Sequence, residues 1–95
     1  MFVLTAKITL FLNDHPQNLK QKRSIISSIK QKVFSKFKVS IAEVENNEKL
    51  HLTTLGIAMV SNDKVFLDKT INKIEDFLVN TFHISIIETS VNILA

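Results

Sequence analysis

Lys20, Arg23, Ser27, Lys30 and Phe34 follow one another at steps of three and four residues. On a helix that spacing draws them into one stripe. Cations along an exposed helix can track a phosphate backbone, and a flanking phenyl ring can stack on a base. The charge of the chain is concentrated around this stripe. Residues 1–38 hold eight basic residues and a single acid, Asp14, whereas residues 39–95 hold four bases and eight acids. The net charge of +3 therefore hides a strongly positive first part and a negative second part. A segment without acids also forgoes the i,i+4 ion pairs that usually lace a solvated helix. A polyanion, with RNA first among them, is the expected partner. Lys20, Arg23, Lys30 and Lys32 are expected to meet phosphates, with Lys22 and Lys36 nearer the helix edge. The plainer alternative is a solvated face with Phe34 tucked against the sheet.

Other constellations carry less. His15, His51 and His83 show neither H-x-x-H nor H-E-x-x-H spacing, and no thiol is present to complete a zinc site. They read as unrelated polar residues, and no metal or cofactor is expected. Glu43 and Glu45, two apart on a strand, would share one face. Such a pair could hold a divalent ion or act as an acid and base. Charge that keeps an edge strand from pairing with other sheets is the simpler reading. With Gly56 as the single glycine, a nucleophile elbow, a Walker loop, a dinucleotide fingerprint and a GXXG clamp are all ruled out. The first turn, Asn13 to Pro16, has neither the glycines nor the arginine of an acylphosphatase phosphate loop. Strand 50–60 lacks the aromatics of an RRM. No enzyme chemistry is expected.

The elements that position these residues follow from periodicity. Phe2, Leu4, Ala6, Ile8, Leu10 and Leu12 alternate with Val3, Thr5, Lys7, Thr9 and Phe11, so 2–12 is a strand. Asn13-Asp14-His15-Pro16 breaks it, and Asn18 caps a helix over 19–37. Ile25, Ile29 and Val33 centre that helix's apolar face, flanked by Leu19, Ile26 and Phe37. A strand over 38–45, a turn at 45–48 and a strand over 50–60 follow. A helix over about 63–81 buries Leu67, Ile71, Ile74 and Leu78, and 83–94 is the last strand. The order β-α-β-β-α-β, with right-handed crossovers, specifies one α+β domain over 1–95. This is the ferredoxin-like arrangement: a four-stranded antiparallel sheet with two helices on one face. The other sheet face is left open, and its apolar residues suggest a homodimer or protein-partner surface. Zero cysteines and an N-terminus unlike a signal peptide or membrane span point to the cytoplasm.

Three stretches together resemble a known bacterial family. Asn18-Leu19-Lys20-Gln21-Lys22-Arg23 is similar to S-L-K-x-K-R. Phe37-Lys38-Val39-Ser40-Ile41-Ala42-Glu43-Val44 is similar to F-N-V-S-V-A-E-V. Leu55-Gly56-Ile57-Ala58-Met59-Val60-Ser61-Asn62-Asp63 is similar to L-G-V-A-V-V-S-N-D. These are signatures of the YlxP-like proteins (domain of unknown function 503), whose length and element order match the whole chain. The family's helix serine falls on Ser28. The resemblance implies a ferredoxin-like fold in a small bacterial cytoplasmic protein, from a family whose genes often lie among those for translation initiation and ribosome maturation. The chain departs from the family at Leu50-His51-Leu52, where a Trp-Gln-Arg-like segment is common, and in a first turn without glycine. The combined expectation is a non-enzymatic accessory factor of translation or ribosome assembly. It contacts ribosomal or other structured RNA through Lys20, Lys22, Arg23, Lys30 and Lys32. The alternative is a homodimeric interaction module using the open sheet face.

Overall fold

The computed structural model describes all of residues 1–95. The elements run β1 (Phe2–Leu12), α1 (Leu19–Phe37), β2 (Ser40–Glu45), β3 (Leu52–Ser61), α2 (Lys64–Thr81) and β4 (Ile84–Leu94). All neighbouring strands are antiparallel, in the order β2-β3-β1-β4. This is the ferredoxin-like α+β fold. Boundaries move by one or two residues from the expected ones, for local reasons. Asp63 is the cap of α2 rather than its first residue, accepting from the amides of Val65 and Phe66. Lys38 sits in the left-handed region at φ 56° and closes α1 with an N–H bond to the Phe34 carbonyl, so β2 starts after it.

Alternation in β1 does what a half-buried strand requires. Leu4, Ala6, Ile8, Leu10 and Leu12 are buried under the helices together with Leu55 and Ile57 of β3. Ile26, Ile29 and Val33 of α1 and Leu67, Ile71, Ile74 and Leu78 of α2 close the core from above. Each fully buried Leu or Ile contributes about 1.5–3 kcal/mol. Ile25, expected near the centre of the α1 face, is only partly buried at its margin.

The open sheet face differs from its expected character. Its middle rows are small or polar: Ser40, Ala58, Thr5 and Asn92 in one, Ala42, Gly56, Lys7 and Ser90 in the next. Apart from Val44 over Gly56, the larger apolar side chains lie at the ends, with Val60, Val3 and Leu94 in register at one and Leu52 beside Phe11 at the other. The two edges of the sheet are unequal. β2 is short and bulged between Glu43 and Glu45. β4 is long, and its register against β1 shifts once, between Thr9 and Leu10.

Candidate nucleic-acid interface

The helix that carries the cations is capped at both ends. Asn18 Oδ1 accepts from the Gln21 amide at 2.8 Å, and Gln21 Oε1 accepts in return from the Gln17 amide at 2.8 Å. Two otherwise orphaned donors are thereby satisfied.

Lys22 does not reach the surface of the helix. It is only 1% exposed and lies on the buried face with Ile26, Ile29 and Val33. Its ammonium donates to the carbonyls of Asn46 at 2.6 Å and Asn47 at 3.2 Å and pairs with Glu43 Oε2 at 3.0 Å. The three partners match its three protons. Glu43 Oε2 also accepts from Thr53 Oγ1 at 2.7 Å. The expectation that Lys22 contacts RNA from the helix edge is therefore corrected: the residue fastens α1 to the β2–β3 turn. Helical position alone predicts this badly, because Lys22 falls within the apolar arc and only its charge argues for solvent.

The same turn corrects the reading of the two glutamates. The bulge at Val44 places Glu43 and Glu45 on opposite faces of the sheet. Glu43 turns to Lys22 under the helices. Glu45 turns to the open face and meets Lys7 Nζ at 2.9 Å. They form neither a shared metal site nor an acid–base pair, and no group of three or more His, Cys, Asp or Glu is placed to hold a metal. Val44 covers Gly56, where any Cβ would lie 2.7 Å from Val44 Cγ1. Asn46, at φ 62°, donates its side-chain amide to Thr54 Oγ1, which is bonded in turn to Thr9 Oγ1. The three stretches singled out in the sequence are thus mutually dependent. Lys22 of the first pairs with Glu43 of the second, Val44 of the second rests on Gly56 of the third, and Asp63 of the third caps α2.

The remaining cations of α1 face outward in two groups. Lys20, Arg23, Lys32 and Lys36 are exposed and Lys30 is half-buried. At 100° per residue, Lys32 stands about 180° from Arg23 around the helix, so the expected RNA-contacting residues do not form a single stripe. Arg23 and Lys30 lie toward β2 and Lys20 on the outward crest, and exposed Phe34 lies under Lys38 at 5.7 Å. Phe34 is not tucked against the sheet. On the α2 side, the Lys32 ammonium lies 5.4 Å from the centre of the Phe82 ring and that of Lys36 4.9 Å from Phe77. Lys20, Arg23, Lys30, Lys32, Lys36 and Lys38 all lack a carboxylate within ion-pair distance; the ion pairs are Lys7–Glu45, Lys22–Glu43 and His83–Asp14.

The histidines are less scattered than their spacing suggests. His15 and His51 meet edge to face with ring centres 5.4 Å apart, and both contact Phe11. His83 Nδ1 lies 2.8 Å from Asp14. His51 Nδ1 is buried without a hydrogen-bond partner. Loops at one end of the sheet create these contacts, and strand periodicity carries no signal for them.

A two-layer ferredoxin-like domain with a cationic outer helix, and with neither metal cluster nor phosphate loop, defines the class. The chain belongs to the DUF503 family, described as a protein of unknown function, whose model matches residues 3–91. It is similar to the uncharacterized protein YlxP of Bacillus subtilis (strain 168), 34% identical over 61 residues. That match covers 64% of this chain and 66% of the relative.

Proposed function

We propose that this chain is a non-enzymatic RNA-contacting factor of translation or ribosome assembly, working through the solvent side of α1. The observation that carries the reading is the set of six cations on and just after α1 with no carboxylate partner. Charges left unpaired on one surface are available to displace the counterions of a polyanion. Lys20, Arg23, Lys30 and Lys32 remain in the interface and Lys22 leaves it. Contacts to phosphate position a protein without reading sequence, so low sequence specificity is expected.

Binding of purified ribosomal RNA, measured over a salt series, tests this. Four contacts imply a log–log slope of about −3 to −4. Combined Lys20→Ala, Arg23→Ala and Lys30→Ala should remove most of the affinity with the thermal transition unchanged. Lys64→Ala with Lys69→Ala on α2 is the control. Equal loss from both sets, or none from the first, would move the function to the open sheet face. There, exposed Val44, Val60 and Leu94 favour a homodimer or another protein partner.

A further inference from the structure

Resting on the RNA reading of α1, we infer that its ligand is the shallow groove of an A-form RNA duplex, gripped from both walls. The outward crest of α1 carries Ser24, Gln31 and Ser35, with Lys20 at its first turn, all exposed and within about 60° of one another around the axis. Arg23 and Lys30 stand about 90–110° to one side of that crest, and Lys32 and Lys36 about 90–130° to the other. A polar ridge, with one cation at its first turn, between two cationic shoulders is the negative of a groove between two phosphate walls. A single strand offers one line of phosphates and would use one shoulder.

The shape of the duplex chooses the groove. Buried by the sheet on its inner side, α1 projects about 5–6 Å, half a helix diameter, beyond its own axis. The major groove of an RNA duplex is too deep and narrow for side chains to read. The minor groove of A-form RNA is wide and shallow and lined with 2′-hydroxyls, which accept and donate to hydroxyl and amide side chains. The Lys32 and Lys36 ammonium groups rest over the Phe82 and Phe77 rings, which gathers the second shoulder along one side of α1.

The test measures binding of the full chain to a 20-base-pair RNA duplex, to one of its strands, and to duplex DNA of the same sequence. The duplex RNA should bind at least tenfold tighter than either competitor. Arg23→Gln with Lys30→Gln, and separately Lys32→Gln with Lys36→Gln, should each flatten the salt slope by about 2. Ser24→Gln with Ser35→Gln keeps the charge and raises the ridge at both positions to the height of Gln31. It should weaken duplex binding at least tenfold and leave single-strand binding unchanged. Equal affinity for strand and duplex, or a slope that responds to one shoulder only, overturns the groove while leaving RNA contact intact. No affinity for RNA in any form overturns both.

Discussion

Lys22 and Arg23 are consecutive cations on one helix, and the fold uses them in opposite ways. Lys22 is 1% exposed, with its ammonium saturated by a carboxylate and two carbonyls. Arg23 is exposed and has no carboxylate partner. One residue along a helix is a rotation of about 100°, enough to pass from the core to the solvent. A run of positive charge is therefore a poor guide to function until its members are assigned to faces. The inner cation defines the fold, and the outer ones are free to define a partner.

The largest effect should come from breaking the inner half of this comparison. Lys22→Met leaves the largely buried Glu43 carboxylate without its cation and the Asn47 carbonyl without its donor, and should destabilise the domain by about 3 kcal/mol, read from the denaturant midpoint. Adding Glu43→Leu should recover part of the loss, because the uncompensated charge is gone. If the double variant is no better than the single, the pair is not coupled as the geometry requires. Next comes the junction beneath the same turn. Gly56→Ala forces a methyl group against Val44 and should lose about 1–3 kcal/mol. Val44→Ala in the same chain should relieve most of that, and additivity of the two changes would contradict the contact. Removal of the α2 cap by Asp63→Ala should lower stability by about 1 kcal/mol, read from the thermal midpoint. The smallest effect belongs to the outer cation. Arg23→Gln should leave stability within about 0.5 kcal/mol of the parent, and a larger change would mean that this residue too has a structural task.

Much of the fold was legible because its signals are periodic. Alternation fixed β1 to within its observed ends, and the spacing of Leu67, Ile71, Ile74 and Leu78 identified the buried face of α2. The faces of β2 were not legible. A bulge has no periodic trace, and one inserted residue at Val44 reversed where Glu45 points. Lys22 was misread for a related reason: its partner Glu43 lies on another element, and a pairing across the fold leaves no local spacing to detect. Alternation shows that apolar residues reach the open sheet face but not where they lie on it, because the row in which each residue falls is set by strand register: valine and leucine gather at the ends, with threonine, serine and glycine between them. The outward cations were legible as a group but not as two groups, because Lys32 was placed by charge and not by angle.

The position of β1 at the centre of the sheet bears on how quickly the molecule assembles. Leu4 lies between Met59 on β3 and Ile93 on β4, so both edges of β1 wait for strands synthesised much later. Sheets built from such distant pairings fold slowly, with mixed α/β domains intermediate between helical bundles and β-sandwiches. The capped helix α1 contains its own hydrogen bonds and needs no such delay. Docking of β4 onto β1, the pairing of greatest sequence separation, is the step at which the sheet becomes whole.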